Sequence, residues 1–241
     1  MQPVVRNIAT SALLLWLIVP STQAQQSMTA EFDSCITSEK VSYTLKGAAT
    51  GAMAGFLGNL AAGQKQDKGK AVLVGAVAGG ALGFATAYYK AADICIKKNP
   101  TWVPESNIQR NPNFGAVVKE FKYKPSQGDF SVVRPLQVPE SVKPGESINV
   151  KVRFVVLTAD GGEAKVKILR QLFVLADGKE EEVPFFGKGS EEKIFENGEH
   201  TDSFVLPFDK EIPLNSKVKI QYAISLKDAP VVAQSGVVEV R

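Results

Sequence analysis

Two stretches set the reading of this chain: Gly47-Ala-Ala-Thr-Gly-Ala-Met-Ala-Gly-Phe-Leu-Gly-Asn-Leu-Ala-Ala-Gly63 and Ala71-Val-Leu-Val-Gly-Ala-Val-Ala-Gly-Gly-Ala-Leu-Gly-Phe-Ala-Thr-Ala87. In steps of four the first reads Gly47, Gly51, Gly55, Asn59, Gly63, and the second Ala71, Gly75, Gly79, Gly83, Ala87. On a helix that spacing stacks the small residues on one side. Each interior glycine costs a helix up to about 1 kcal/mol relative to alanine, so such helices need close backbone packing in return. A smooth glycine surface permits it. Phe56, Leu57 and Leu60 supply apolar surface around the first ladder, and Val72, Leu73, Val74, Val77, Leu82 and Phe84 around the second.

The polar run Gln64-Lys-Gln-Asp-Lys-Gly-Lys70 separates the ladders. Two helices joined by a short loop form an antiparallel hairpin. Each uncharged run is about 27 Å long as a helix, which is marginal for a bilayer core of about 30 Å. Tyr88, Tyr89 and Lys90 suit a membrane interface. Membrane insertion is the expectation, and a water-soluble hairpin with buried glycine faces is the alternative.

Cys35 and Cys95 are the only cysteines, and the midpoint between them falls in the polar turn. A hairpin folded there brings its ends together, so a Cys35–Cys95 disulfide is expected in an exported chain. Free structural thiols and an intermolecular bond are the alternatives. Closing a loop of this size stabilises by about 4 kcal/mol in the chain-entropy account.

Export itself is read from residues 1–24. Arg6 provides the charge, Ala12-Leu-Leu-Leu-Trp-Leu-Ile-Val19 the apolar core, and Thr22-Gln-Ala24 a small-x-small cleavage site. The apolar core is too short to span a bilayer, so a mature chain starting near Gln25 is expected, with an uncleaved N-terminal anchor as the alternative. No cysteine follows the cut to carry a lipid.

At Gly47-x₃-Gly51-x₃-Gly55 and Gly75-x₃-Gly79-Gly-x₂-Gly83 the sequence resembles the glycine-zipper two-helix domains of Gram-negative envelope proteins, the group that includes the rickettsial 17 kDa surface antigen. The resemblance covers about residues 41–92. It implies a bacterial envelope protein with a self-associating helical hairpin and no catalytic residue. The chain departs from that antigen in lacking a lipidated N-terminal cysteine and in having a long C-terminal extension.

Composition agrees with this division. Ten of the 20 glycines lie between Gly47 and Gly83, whereas no proline occurs between Pro20 and Pro100. Prolines resume at Pro100, Pro104 and Pro112, so residues 97–113 read as an extended linker. Trp102 within it docks on a neighbouring unit or sits at a membrane interface. Beyond residue 113 the period is two. Ile148, Val150, Val152, Phe154 and Val156 alternate with polar residues, as do Val218, Ile220, Tyr222, Ile224 and Leu226. Further strands fit 114–124, 130–138, 164–175, 180–186, 192–196, 202–208 and 231–240. Turn chemistry separates them: Lys143-Pro-Gly-Glu146, Asp160-Gly-Gly162, Ala176-Asp-Gly-Lys179 and Asn197-Gly198.

The expected fold is therefore α + β in separate domains. Residues 1–24 form a signal peptide, 25–96 a glycine-zipper hairpin with its cysteine clasp, 97–113 a linker, and 114–241 an antiparallel β-sandwich, Ig-like or fibronectin III-like. The run Pro139 to Ser147 resembles the first hairpin of bacterial Ig-like domains, a likeness of fold that carries no function.

Catalytic chemistry finds no support. One His and two Cys cannot build a Cys₄ or Cys₂His₂ zinc site. His200 reads as a turn residue in Asn197-Gly-Glu-His-Thr-Asp202, and its neighbours Asp202 and Ser203 do not make a triad by adjacency. No phosphate-binding glycine motif is present. Glu180-Glu-Glu182 and Glu191-Glu192 read as solvated edges, with Ca²⁺ binding as the sharper alternative. The net charge of +3 gives no polyanion-binding field. It divides into 8 basic against 5 acidic residues over 25–100 and 19 against 20 beyond.

The functional expectation is a non-enzymatic cell-envelope protein without a cofactor or metal. The hairpin, through Gly47, Gly51, Gly55, Gly63, Ala71, Gly75, Gly79, Gly83 and Ala87, serves membrane association or self-assembly. The sandwich, placed in the periplasm or at the surface, binds another envelope protein; nucleic acid is not a partner. The alternatives are a pore or secretion-apparatus subunit of oligomerised hairpins, and a soluble periplasmic chaperone or inhibitor.

Overall fold

A computed structural model describes residues 30–41, 80–102, 106–111, 113–176, 179–227 and 230–241. The expected signal peptide and most of the glycine ladders, from Gly47 to Gly79, lie outside these residues. Helix α1 covers residues 30–41, and α2 covers Gly80–Lys98. Pro100, with one residue between it and the end of α2, cannot continue it, and a short 3₁₀ turn, Pro100–Trp102, takes over.

The β-rich region has two sheets. The first has the order β1 (Asn107–Asn111), β8 (Gly198–Pro207), β4 (Ser147–Leu157), β2 (Phe130–Val133). The second has the order β3 (Ser141–Val142), β10 (Val232–Val240), β9 (Lys217–Leu226), β5 (Ala164–Ala176), β6 (Lys179–Val183). β7 (Ser190–Phe195) pairs with the other half of β5. The pairing is antiparallel except for β3 against β10. Period two is the cause. Ile148, Val150, Val152, Phe154 and Val156 of β4 are buried, as are Val218, Ile220, Tyr222, Ile224 and Leu226 of β9. All belong to one core cluster.

Three expectations need correction. The strand expected at 114–124 is largely helix α3 (Phe114–Phe121). Its apolar residues Phe114, Val117, Val118 and Phe121 follow i, i+3, i+4, i+7, the helical spacing. Val117 lies under the outer side of the first sheet with Tyr123, Val155 and Leu157. The expected linker 97–113 holds both the end of α2 and strand β1, which pairs with β8 from Asn107↔Ser203 to Asn111↔Glu199. Finally, helices and sheets are not separately cored. Phe32, Ile36, Ala85, Tyr88, Tyr89, Ala92 and Cys95 share a buried cluster with Leu172, Val174 and Phe204.

Candidate functional site: the clasped helical base and its seat on the sheets

Cys35 and Cys95 form the expected disulfide, with their Cα atoms 6.0 Å apart. Around it α1 and α2 make a small apolar base. Spacings of three and four place Ala85, Tyr88, Ala92 and Cys95 on one side of α2, and all are buried. From α1, Phe32 packs against Trp102 with ring centroids 5.7 Å apart and against Phe186 at 5.6 Å. Trp102 thus docks on its neighbours rather than on a membrane.

The base packs on β5 and β6 of the second sheet and reaches the uncovered end of β8 in the first. β1 covers the outer edge of β8 only from Glu199 to Ser203. Past that point the Tyr89 hydroxyl donates to the Pro207 carbonyl of β8 at 3.3 Å. Tyr88 and Tyr89, expected at a membrane interface, are 8% and 1% exposed. Burial, together with the nearby carboxylates Asp209 and Asp33, holds the Tyr88 hydroxyl proton far more tightly than in water.

Charges fasten the rim. Lys40 of α1 donates to Asp209 and, at 2.7 Å, to Glu211, both in the loop after β8. Burial opposes the Lys40 charge, but these two carboxylates outweigh it and raise its pKa above the usual lysine value. Lys98 of α2 donates to Glu39 of α1 at 2.6 Å, beside the disulfide.

A second constellation, unread in the sequence, ties this seat to the core. Arg170 of β5 is a buried arginine on the inward register Val166, Ile168, Arg170, Leu172. Its Nε donates to Asp202 Oδ2 of β8 at 2.9 Å, and Nη2 reaches the same oxygen. Nη2 also meets Glu191 of β7 and, at 3.0 Å, the Ser106 hydroxyl just before β1, while Nη1 donates to the Lys188 carbonyl at 3.0 Å. Tyr222 of β9 donates to Asp202 Oδ2 at 3.1 Å. Burial first, then the Asp202 charge, keeps that phenol protonated. The readable signal was a pair of opposite charges on inward positions of two apolar strands. Glu191 therefore belongs to the interior network rather than to a solvated edge. Glu180, Glu181 and Glu182 lie exposed on β6 as expected.

Of the zipper positions, Gly83 and Ala87 are described. Gly83 is exposed, with open space where a Cβ would stand, and Ala87 is half-buried. Gly83 precedes Cys95 by twelve residues, so it lies about 120° round α2 from the disulfide side. Gly47, Gly51, Gly55, Gly63, Ala71, Gly75 and Gly79 lie outside the described residues. Among the described residues no helix is long and apolar enough to cross a membrane.

Residues 6–91 match the family described as YMGG-like Gly-zipper. The match runs through both expected ladders and ends inside α2, short of Cys95, so the Gly-zipper segment and the helical base overlap. No curated protein matches the chain. Several solved structures are similar to part of the chain. The sporulation control protein Spo0M from Bacillus subtilis is 11% identical over 46% of this chain and 49% of its own, with a TM-score of 0.32. A beta-glucosidase from Listeria innocua is 15% identical over 46% of this chain and 16% of its own, with a TM-score of 0.32. A CARDB domain from Pyrococcus furiosus is 10% identical over 47% of this chain and 96% of its own, with a TM-score of 0.30. The chain spans about half the length of Spo0M and 27% of a family 123 glycoside hydrolase from Clostridium perfringens that it also matches. At these TM-scores none of them bears on function.

Proposed function

We propose that this chain is a non-enzymatic protein of the bacterial cell envelope. Its Gly-zipper segment forms an antiparallel hairpin that associates with a membrane or with further copies. Its β-rich region is an Ig-like sandwich that engages another envelope protein. The observation that carries this reading is the coincidence of the Gly-zipper match over residues 6–91 with the disulfide that closes that segment. A disulfide fits an oxidising compartment. The strand order supports the Ig-like reading: β4 pairs with β8 in one sheet, while β5, β9 and β10 run side by side in the other.

The described structure adds a mechanical element. A self-associating hairpin conveys position only if it is joined stiffly to what it carries. Here the base of the segment shares a core with the sheets. The sandwich then follows the hairpin as one body instead of swinging on a linker.

Crosslinking from photoreactive residues on the sandwich, in cells, combined with light scattering of the purified chain, tests this reading. Capture of one envelope protein together with a defined multimer supports it. A soluble monomer with no crosslinked neighbour favours the chaperone or inhibitor alternative.

A further inference from the structure

We propose that His200 is an acid-sensitive latch. Its protonation opens the corner where β1, β7 and the start of β8 meet, while the clasped helical base stays closed.

His200, expected in a turn, lies on β8 and is 1% exposed. Its ring sits between Phe195 of β7, with centroids 4.7 Å apart, and Phe154 of β4 at 5.3 Å. Nε2 donates to the Glu196 carbonyl at 2.9 Å. In the neutral ring Nδ1 is then the nitrogen without a proton. It is buried and has no hydrogen-bond partner among the described residues. A second proton would create a buried cation and a donor without an acceptor, both costly in an aromatic box.

The surrounding charges do not remove that cost. Burial is the largest influence on His200 and disfavours its cation; Arg110 of β1 adds to this, while Glu196 and Glu199 oppose it without prevailing. Arg110 stands opposite His200 in the β1–β8 register. Glu199 is engaged by Arg134 and Arg153 on the outer side of the sheet. Asp202, on the same side of β8, is held by Arg170 and Tyr222 through Oδ2. From β9, Tyr222 packs on the same Phe154 ring that flanks His200.

The corner is the part free to respond. β1 has five residues, four of them exposed, and pairs with β8 alone. Arg110 links it to β7, donating to the Ile194 carbonyl at 3.2 Å and lying 5.9 Å from the Phe195 ring, and Ser106 just before β1 donates to Glu191 of β7 at 3.3 Å. His200 is the only histidine of the chain, so the helical base has no group of this kind. The sign follows. The folded form prefers neutral imidazole, so the contribution of His200 is complete above its unfolded pKa of about 6.5 and is lost as pH falls below it. From pH 7.5 to 5.5 a single such group favours opening by at most about ten-fold.

The test is hydrogen exchange of the full mature chain, corrected for intrinsic rates, at pH 7.5 and 5.5. Protection over 107–111 and 190–200 is expected to fall, by up to about ten-fold, while that of α1 and α2 holds. His200→Gln is expected to abolish the difference. The lone imidazole signal, followed by NMR, keeps the test open if that variant misfolds: it should titrate below pH 6.5. An imidazole that titrates at or above 6.5, unchanged or rising protection in acid, or equal loss throughout the chain overturns the proposal.

Discussion

Arg170 and Asp202 meet across the two sheets, with two guanidinium nitrogens on a single carboxylate oxygen. Neither side chain reaches solvent beyond 1%. Removing one partner of such a pair leaves the other charged and buried. Arg170→Ala or Asp202→Ala is therefore expected to cost about 3–5 kcal/mol in urea denaturation. The double replacement Arg170→Met with Asp202→Leu should cost less than either, because no lone charge remains.

The disulfide closes a loop with a sequence separation of 60. Replacing both cysteines by serine should lower stability by about 4 kcal/mol in the chain-entropy account. Reduction should shift the monomer band on a denaturing gel. An unshifted band, with two thiols open to alkylation before reduction, would contradict the intramolecular bond.

Phe32 and Tyr89 separate packing from hydrogen bonding at the seat. Phe32→Ala removes a ring lodged between Trp102 and Phe186, and the loss should be about 3–5 kcal/mol. Tyr89→Phe keeps the ring and loses the bond to Pro207, at about 0.5–1.5 kcal/mol. Thermal melts of the two variants should therefore differ clearly.

Gly145 occupies the third position of the turn Lys143-Pro-Gly-Glu146, closed by Glu146 N–H donating to the Lys143 carbonyl at 3.1 Å. Its φ of +81° is the left-handed value that this turn demands. A Cβ there would also stand 2.6 Å from Lys210 Cγ. Gly145→Ala should cost about 1–3 kcal/mol by chemical denaturation.

Much of the β-rich region was legible because its strands have one wet face. Alternation located β4, β9 and the inward valines and isoleucines, and Pro-Gly at 144–145 located a turn. The clasp was legible because a hairpin expected to fold at the polar run 64–70 would bring Cys35 and Cys95 together, and the disulfide is present. Other features depend on partners far away in sequence. α3 is only eight residues long, within the length of a strand, although the apolar residues at 114, 117, 118 and 121 have helical spacing. β1 is mostly polar and exists through its pairing with β8. Tyr88 and Tyr89 have the composition of an interface belt, and only the gap beside β8 shows that they are core. Arg170 and Asp202 break the apolar alternation, and local pattern alone does not reveal that each answers the other.

Alkaline carbonate extraction tests the account most directly. The full chain and a variant with residues 42–79 replaced by a short polar linker would both be expressed from Met1 in a Gram-negative host. The full chain should stay in the membrane pellet. The variant should appear in the soluble periplasmic fraction with its Cys35–Cys95 bond and folded sheets intact. A full chain that washes completely into the supernatant would contradict a membrane-associated Gly-zipper protein.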